Sequence, residues 1–369
     1  MKKILHIIDT TGPGGAETVF IDLVTRLSSN KFIPVVVIRG KGWVYDELIR
    51  RGIEPILLDA KGSFNWRYLL GLRKIIKNEK IDLIQSHLLG SNVYSALAGL
   101  ITRTPVVAVF HGTVDIGDNE RLKSLKFAAI NWGSQRVVAV SKKLSDNILA
   151  RTPIDKTKIQ IIYNGIIVED FNEPTSDRIR KEFNWEKDVI IVGSLGNVRT
   201  AKAYDVLLQA AAQLKNKEAK FKFVIAGHYK PGLYDRLLEQ RTKLGLEDTV
   251  HFLGFNNSPA EFLSNLNLFL LSSRSEGFSI ATIQAMASGV PVIATKSGGP
   301  EEIISHSDNG WLVEVENPTA IADALEMLVH EPALLNDMSK RASIHVNKSF
   351  NMQTALSAYE QIYTELIQR

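Results

Sequence analysis

The fold is indicated most clearly by residues 189–202, VIIVGSLGNVRTAK. An apolar, β-branched run ends at a glycine, and a short polar loop follows before the next amphipathic segment. The first half of the chain begins in the same way, with Ile4–Ile8 leading into Gly12–Gly15. Short, continuous apolar runs of this kind are typical of strands that are buried on both faces of a parallel sheet.

Runs of this type recur along almost the whole chain, separated by helical patterns. In the first half they are Ile4–Ile8, Pro34–Ile38, Pro55–Leu58, Leu83–Gln85, Val106–Phe110 and Val137–Val140. In the second half they are Val189–Gly193, Lys222–Ala226, Val250–Leu253, Leu268–Leu271 and Val292–Ala294. The alternation predicts an α/β protein with two doubly wound, Rossmann-like parallel sheets that are covered by helices on both faces.

The pattern pauses over residues 165–187, which are polar and charged and are typical of a linker. We therefore predict a first domain over residues 1–170 and a second over 171–349. A last helix, over residues 350–369, is expected to pack back on the first domain. Two such domains facing each other would place a cleft at the carboxyl ends of both sheets, where open α/β sheets bind ligands.

Composition excludes several classes of protein. The 369 residues are 45% apolar and 23% charged and include no cysteine, which excludes disulfides, thiolate zinc sites and a cysteine nucleophile. The apolar run at the N-terminus is interrupted by Asp9 too early for a signal peptide, and no run approaches the ~20 apolar residues of a membrane span. These features predict a cytoplasmic location.

Charge is distributed unevenly between the two halves. Residues 1–170 carry a net charge of +8 and residues 171–369 a net charge of −4. A basic half can attract anionic lipid or phosphorylated substrates, although a solvated, lysine-rich surface has the same composition. No basic patch is interleaved with aromatic residues, so a nucleic-acid partner is not expected.

Two glycine-containing loops follow the first strand of each half. In the first, Gly14 and Gly15 open a helix, where free N–H groups can face an anion. A dinucleotide fingerprint would require a third glycine at the position of Glu17, which disfavours that interpretation. In the second loop, Arg199 and Lys202 could clamp a diphosphate, or could be two exposed cations on a surface loop.

Acidic and imidazole groups follow other strands. Glu276 precedes Gly277 and a predicted helix at Ile280–Ser288, so it could bind sugar hydroxyls or could only favour the helix dipole. His111 and His87 end two strands and could face a cleft, or could be structural histidines. No histidine and carboxylate cluster has metal-ligand spacing, and no Asp-x-Asp pair occurs, so no metal site is expected.

Taken together and in order, these segments resemble the retaining GT-B glycosyltransferases of family 4 along nearly the whole chain. The stretches that carry the resemblance are Gly14–Glu17, His111-Gly112, Ala139–Lys142, Tyr163–Gly165, Gly196–Lys202, Glu276–Gln284, Ala285–Val292, Gly298–Glu302, and Phe350 with the closing helix.

The resemblance implies transfer of a sugar from a nucleotide-diphosphate sugar, UDP- or GDP-linked, with retention of anomeric configuration and without a metal or cofactor. It implies a glycan, lipid-linked or other hydroxyl acceptor and a role in polysaccharide or cell-surface glycan biosynthesis. The implied catalytic residues are His111, Glu276, Lys202 and Arg199. The implied donor-binding residues are Gly14, Gly15, Asn197, Arg199, Lys202, Glu276, Gly277, Phe278, Ser279 and Gln284.

Two positions depart from the family pattern. Gln284 occupies the place of the second glutamate of the Glu-x7-Glu signature, so it can still accept a hydrogen bond from the nucleotide ribose but brings no charge. Ser194 stands where many members have arginine, which leaves Arg199 as the second cation beside Lys202.

The basic first half suggests an anionic acceptor, such as a polyprenol-diphosphate-linked glycan, or a membrane surface. Arg121, Lys123 and Lys126 lie on a predicted helix with Leu122, Leu125 and Phe127, which together could form a basic amphipathic face for peripheral membrane association. An ordinary helix with a polar face has the same pattern.

Other functions remain open at this stage. A GT-B epimerase or phosphorylase would share the same motifs. An NAD-dependent oxidoreductase is disfavoured by the interrupted glycine fingerprint at Glu17. A non-catalytic protein that binds sugars or partners would be consistent with Gln284.

Overall fold

The structure is a computed structural model that describes residues 1–28, 30–59, 64–117, 120–215, 217–229 and 231–368. The chain divides into two compact units. The first unit comprises Met1–Gly165 together with Met352–Arg369, and the second comprises Ile166–Asn351.

The first unit is built on a parallel sheet of seven strands in the order β3-β2-β1-β4-β5-β6-β7. The strands are β1 (Lys2–Ile8), β2 (Phe32–Ile38), β3 (Ile56–Leu57), β4 (Leu83–His87), β5 (Val106–Phe110), β6 (Arg136–Ala139) and β7 (Ile159–Ile161). Strands β4 and β5 are buried along their whole length, as expected of strands covered on both faces.

Helices cover both faces of this sheet. They are α1 (Gly15–Arg26), α2 (Trp43–Arg50), α3 (Trp66–Asn78), α4 (Leu89–Thr102), α5 (Lys123–Gly133) and α6 (Lys142–Arg151), with short 3-10 turns at Thr113–Ile116 and Lys156–Lys158. One core packs α3 and α4 against Leu5, Ile7 and Ile84. A second core packs α1 and α2 against Ile8 and Ile38, on the opposite face.

The second unit repeats this plan with a parallel sheet of six strands in the order β10-β9-β8-β11-β12-β13. The strands are β8 (Ile190–Leu195), β9 (Phe221–Ala226), β10 (Val250–Gly254), β11 (Leu268–Leu271), β12 (Val292–Thr295) and β13 (Trp311–Val313). The prediction of two doubly wound parallel sheets is therefore confirmed.

The helices of the second unit alternate with its strands. They are α7 (Arg178–Glu182), α8 (Tyr204–Leu214), α9 (Leu233–Lys243), α10 (Pro259–Ser264), α11 (Ile280–Ala287), α12 (Pro300–Ile303), α13 (Pro318–Val329) and α14 (Pro332–Ser349), with 3-10 turns at Val168–Phe171 and Thr200–Lys202. The last helix, α15 (Met352–Ile367), belongs to the first unit. Within the residues that the structure describes, no helix is long and apolar enough to cross a membrane.

Each sheet has one position where the strand order reverses. In the first unit it lies between β1 and β4, and in the second between β8 and β11. The loops that leave neighbouring strands there diverge to opposite faces of the sheet and open a crevice at the carboxyl ends, where doubly wound proteins bind ligands. The two sheet orders thus identify the loops after β1 and β4, and the loops after β8 and β11, as the candidate ligand-binding loops.

One helix of the first unit departs from the sequence prediction. The sequence analysis placed Arg121 and Leu122 on a helix, whereas α5 begins at Lys123 and continues to Gly133. The preceding residue, Leu122, has a φ angle of +56°, in the left-handed region that a right-handed helix does not include. Helix α5 packs closely on α4: a Cβ atom on Gly133 would lie 2.3 Å from the carbonyl oxygen of Ala96.

Candidate functional site

The second unit brings two of the predicted site residues, Lys202 and Glu276, into direct contact. Lys202 ends the 3-10 turn in the loop after β8, and Glu276 lies in the loop after β11. The Nζ atom of Lys202 lies 2.7 Å from Oε1 of Glu276, and the two side chains are only 20% and 12% exposed. Since β8 and β11 flank the position where the strand order reverses, this ion pair lies where an open α/β sheet binds its ligand.

The loop after β8 is held by close backbone packing. Gly196 and Gly227, which follow β8 and β9, are so close that a Cβ atom on Gly227 would lie 2.0 Å from the carbonyl oxygen of Gly196. The hydroxyl of Tyr204 donates a hydrogen bond to the same carbonyl at 2.7 Å. The backbone N–H of His228 donates to Oδ1 of Asn197 at 3.0 Å. The predicted residue Asn197 therefore fastens the loop to the end of β9.

The position of Glu276 is fixed by its own loop. The hydroxyl of Ser273 donates a hydrogen bond to the same carboxylate oxygen that Lys202 contacts. The backbone N–H of Glu276 donates to the carbonyl of Ser297 at 2.9 Å, and the residue pairs with Gly298 as a parallel bridge. The carboxylate is thus held in place before any ligand arrives.

Residues Gly277, Phe278 and Ser279 lead from this carboxylate into α11. Ser279 is the N-cap of the helix, and its hydroxyl accepts a hydrogen bond from the backbone N–H of Thr282 at 3.4 Å. Phe278 is buried with its ring 5.3 Å from that of Phe350. The helix therefore starts at a fixed point directly after Glu276, with its positive dipole end at this edge of the sheet.

The two arginines near the ion pair play different parts. Arg199 is exposed and makes no ion pair with any residue that the structure describes. Arg274, which the sequence analysis did not select, donates to both Asp205 and Glu316, and its backbone N–H donates to the carbonyl of Ala201 at 2.7 Å. Arg274 thus ties the loop after β11 to the loop after β8, while Arg199 keeps its charge available.

The two departures from the family pattern lie inside the second unit. Gln284 is on α11 with only 7% of its surface exposed, and its side chain makes no hydrogen bond with a described residue. Ser194 is buried on β8 and is hydrogen-bonded to the hydroxyl of Tyr204. The structure therefore does not bring Gln284 into the Lys202–Glu276 pair, and Ser194 supports the helix that follows the loop.

In the first unit, the predicted glycines lie where β1 passes into α1. Gly15 is the first residue of the helix, and Gly14 precedes it in an extended conformation. A Cβ atom on Gly14 would lie 2.3 Å from Oε2 of Glu17, which is buried over the loop. The carboxylate of Glu17 thus fills the space that a side chain at position 14 would take.

The predicted histidine His111 follows β5 and contacts His87 at the end of β4. The Nδ1 atom of His87 lies 2.8 Å from Nε2 of His111, and the two rings are stacked with centroids 5.1 Å apart. Burial lowers the pKa of His111 to about 4 and that of His87 well below its usual 6.5. Both rings are therefore neutral near pH 7.

Two aspartates at the same edge were missed by the sequence analysis. The backbone N–H of His111 donates to Oδ2 of Asp115 at 3.0 Å, and burial raises the pKa of Asp115 to about 6. Burial also raises the pKa of Asp9, which follows β1 and lies against Gly90 in the first turn of α4. Their signal was the position of Asp9 directly after a buried strand and of Asp115 four residues after His111.

The predicted basic amphipathic face is only partly present. Phe127 was expected on this face, but it is fully buried and stacks on Phe110 in the core. Leu122, Leu125 and Trp132 are instead 62%, 67% and 73% exposed. Leu125 and Trp132 are seven residues apart on α5 and lie on one side of it, with Leu122 directly before its start, so the face carries Trp132 in place of Phe127.

The described residues include no group of three or more histidine, aspartate or glutamate side chains that could hold a metal ion.

Two doubly wound units, each with its candidate residues at the position where the strand order reverses, define a protein of the GT-B class. Residues 13–170 match the family model for Glycosyltransferase Family 4, and residues 175–345 match that for Glycosyl transferases group 1. The chain therefore belongs to the family 4 (group 1) glycosyltransferases, and the resemblance found in the sequence is confirmed.

Individual relatives agree with this assignment. The chain is 29% identical to N-acetyl-alpha-D-glucosaminyl L-malate synthase of Bacillus anthracis, over 80% of this chain and 78% of that protein. It is 26% identical to N-acetylgalactosamine-N,N'-diacetylbacillosaminyl-diphospho-undecaprenol 4-alpha-N-acetylgalactosaminyltransferase of Campylobacter jejuni, over 98% of this chain and all of that one. The structure of Alr3699/HepE from Anabaena, in complex with UDP and glucose, superposes with a TM-score of 0.88 at 22% identity, over 99% and 100% of the two chains, and shows the shared fold.

The buried histidine His6 provides a test of the electrostatics of the first unit. Both its ring nitrogens are buried without a hydrogen-bond partner among the described residues, and burial lowers its pKa to about 3. Below pH 6.5 the His6 imidazole binds a proton in the unfolded chain but stays neutral in the native state. The free energy of unfolding therefore falls as the pH falls from 6.5 towards 3. We expect His6→Leu to remove about 1.4 kcal/mol per pH unit of this dependence.

The measurement is urea unfolding of the wild type and His6→Leu at pH values between 6.5 and 4.5. The exposed His330 supplies the control His330→Gln, which should keep the wild-type slope. The raised pKa values of Asp9 and Asp115 act in the opposite direction but are common to all three proteins, so they cancel in the differences. Identical slopes for the wild type and His6→Leu would show that His6 is not buried in its neutral form.

Proposed function

We propose that the protein transfers a sugar from a UDP- or GDP-linked donor to a hydroxyl acceptor, with retention of anomeric configuration. The observation that carries the proposal is the Lys202–Glu276 ion pair at the carboxyl ends of β8 and β11. A sugar nucleotide has two features that this pair matches: a diphosphate for the ammonium group and neutral hydroxyls for the carboxylate. Retention follows from the family resemblance, and the anomer formed in the product tests it.

The chemistry assigned to these residues is stabilisation of the leaving group. When the glycosidic bond breaks, the bonding electrons go to the diphosphate oxygen, whose negative charge grows in the transition state. Lys202, the exposed Arg199 and the N–H groups after Gly277 at the start of α11 lie at one edge of the sheet and supply positive charge there. Glu276 holds sugar hydroxyls, and His111 orients the sugar.

The same cations support a metal-independent reaction without a resident cofactor. A divalent ion in other transferases neutralises the diphosphate, and here an ammonium, a guanidinium and a helix N-terminus perform that role. The proposal therefore assigns the charge balance of the donor site to side chains and backbone of the second unit.

Relatives guide the choice of donor and acceptor. Alr3699/HepE from Anabaena was solved in complex with UDP-glucose, so UDP-linked sugars are the first donors to test. The Campylobacter jejuni relative acts on a diphospho-undecaprenol-linked sugar, and another relative, WclY of Escherichia coli, is an O-antigen biosynthesis glycosyltransferase. We infer a glycan or lipid-linked acceptor and a role in polysaccharide or cell-surface glycan biosynthesis.

We also propose that the first unit rests on an anionic membrane surface through α5. Leu125 and Trp132 expose large apolar side chains on one side of this helix, and the exposed Leu122 directly before its start has Arg121 and Lys123 as chain neighbours. An apolar stripe flanked by cations is the pattern by which a helix lies in the plane of a lipid headgroup layer. A lipid-linked acceptor would be met at the same surface.

Loss of Lys202 tests the donor site. The donor nucleotide is first identified by the rise in melting temperature that UDP, GDP, ADP or their sugar conjugates produce in the wild type. We expect Lys202→Ala to lower kcat about 100-fold to 1,000-fold, because one charged donor to the leaving group is lost. The measurement is release of the nucleotide in the presence of acceptor.

A matched control is Lys243→Ala, which removes an exposed lysine of the same unit from the end of α9. It should turn over at the wild-type rate. Circular dichroism checks that Lys202→Ala stays folded, since its loss leaves Glu276 without its cation. Near-normal turnover in a folded Lys202→Ala protein would remove Lys202 from the catalytic set. Absence of a shift with every nucleotide at millimolar concentration would favour a non-catalytic protein.

The response to chelation tests metal independence. We expect full turnover in excess EDTA, because Lys202 and Arg199 supply the positive charge that a divalent ion would otherwise bring. The measurement is the initial rate before and after dialysis against EDTA, with magnesium or manganese added back. A rate that falls on chelation and recovers with either ion would contradict the proposal.

Flotation with lipid vesicles tests the membrane surface. We expect the wild type to float at low salt with vesicles that contain anionic lipid, and Trp132→Glu with Leu125→Glu to abolish flotation, because both substitutions place charge in the apolar stripe. Ile344→Glu on α14 is the matched control, since Ile344 is an exposed apolar residue of the second unit. Wild-type protein that stays at the bottom of the gradient at low salt would exclude this surface.

A further inference from the structure

A row of buried polar groups crosses the first unit from α15 to the end of β5. The hydroxyl of Tyr363 on α15 donates a hydrogen bond to Oε1 of Gln85 on β4. Nε2 of Gln85 lies 2.9 Å from Nε2 of His87, and Nδ1 of His87 lies 2.8 Å from Nε2 of His111. Tyr363, Gln85 and His87 are fully buried, so water cannot replace any partner in the row.

The strand register makes this row continuous. Gln85 and His87 are two residues apart on β4 and therefore project from the same face of the sheet. That face carries α1, whose Phe20 packs edge-on against the ring of His87 with centroids 5.2 Å apart. Polar residues on a buried face are costly when they lack a partner. Three hydrogen bonds in series supply those partners.

The hydroxyl at the α15 end sets the direction of the row. Among the described residues, Gln85 is the one acceptor within reach of the Tyr363 hydroxyl, so the tyrosine donates and the amide oxygen accepts. The amide nitrogen then donates to Nε2 of His87, which must carry a lone pair. If the amide nitrogen of Gln85 donated to Tyr363 instead, the tyrosine O–H would be buried without an acceptor.

This direction determines the tautomer of both histidines. A neutral His87 that accepts at Nε2 carries its proton on Nδ1 and donates it to Nε2 of His111. His111 then accepts at Nε2 and carries its own proton on Nδ1. That Nδ1 atom is buried and has no hydrogen-bond partner among the described residues. The row thus ends in an N–H group that lacks an acceptor.

The backbone directly after His111 borders open space. A Cβ atom on the following residue, Gly112, would meet no other atom within 4 Å. The ring of His111 is held by its hydrogen bond to His87 and by stacking on that ring, so it cannot easily turn to find another protein partner. A buried donor without a partner, at the carboxyl edge of the sheet, is suited to an acceptor oxygen of a ligand.

We propose that Tyr363, Gln85 and His87 are positioning residues that hold His111 in its Nδ1–H tautomer, so that it donates a hydrogen bond to an oxygen of the donor sugar. The proposal rests on the proposed function for the identity of that ligand. The tautomer itself is a property of the free protein. A row that served only to satisfy the core would leave turnover unchanged in any variant that still folds.

The first measurement is the tautomer in the wild type without ligand. Protein labelled with 15N at histidine is examined by long-range 1H–15N correlation, which distinguishes protonated from unprotonated ring nitrogens. The signals of His111 are assigned by their loss in His111→Gln. We expect one tautomer, with the proton on Nδ1, at pH 7. A proton on Nε2 of His111 would overturn the proposal without any variant of the row.

The second measurement compares two tyrosines on one helix. Tyr363 and Tyr359 are one turn apart on α15 and both are buried, but the Tyr359 hydroxyl has no partner among the described residues. We expect Tyr363→Phe to leave His111 in mixed tautomers and to lower kcat/KM for the donor by about threefold to tenfold, as befits one neutral hydrogen bond. Tyr359→Phe should change neither. Equal effects of the two substitutions would show a packing role only.

Gln85 provides a test by loss and rescue. Gln85→Met keeps the length of the side chain but cannot bond to either neighbour, so mixed tautomers and a loss of about tenfold in kcat/KM are expected. Gln85→Glu should retain the wild-type tautomer. A neutral carboxyl accepts from Tyr363 and donates to His87, and a carboxyl that gives its proton to His87 still leaves a proton on Nδ1. Full turnover in Gln85→Met with mixed tautomers would overturn the positioning role.

The two kinds of readout separate this inference from the proposed function. If no nucleotide sugar is turned over by the wild type, the proposed function fails while the tautomer data still decide how the row is oriented. If transfer is observed but the histidine tautomer does not follow the substitutions at positions 85 and 363, the positioning role fails and the transferase remains.

Discussion

Parallel pairing of β8 with β11 is the constraint on which the candidate donor site depends. Val192 and Gly193 pair with Leu268 and Phe269, so both strands end at the same edge of the sheet. Strand β9 lies on one side of β8 and β11 lies on the other. The loops that follow β8 and β11 therefore diverge at this edge and leave a crevice between them. Lys202 and Glu276, which are 74 residues apart in the chain, meet in that opening. The first unit uses the same reversal between β1 and β4.

Much of this arrangement could be predicted from the sequence, because a strand buried on both faces needs apolar residues at successive positions. Strands that are covered on both faces, such as Val106–Phe110, appear as continuous apolar runs, and the predicted start and end match β5. The Glu276 segment was recognised because it stands between an apolar strand and a predicted helix, which are β11 and α11 in the structure. The short edge strands β7 and β13 were not predicted. Each has three residues that are mostly half-buried, which leaves too little pattern to detect.

Other features depended on packing that one sequence does not encode locally. Phe127 follows basic residues and was placed on a surface face, but it fills a space over Phe110 that exists only once β5 and α5 are together. Arg274 was passed over because its partners, Asp205 and Glu316, are distant in the chain. The row from Tyr363 to His111 joins three elements, and its order follows from the pairing of β4 with β5 and from the return of α15 to the first unit.

The ion pair between Lys202 and Glu276 also affects which anions can occupy the second unit. The lysine is already neutralised by a fixed carboxylate, so a small anion such as free phosphate must compete with an internal ligand and leave that carboxylate uncompensated. A molecule that offers negative charge to the lysine and hydroxyl groups to the glutamate supplies a new partner to each of the two side chains. We therefore expect free phosphate to bind the second unit weakly, because it competes with the protein's own side chain.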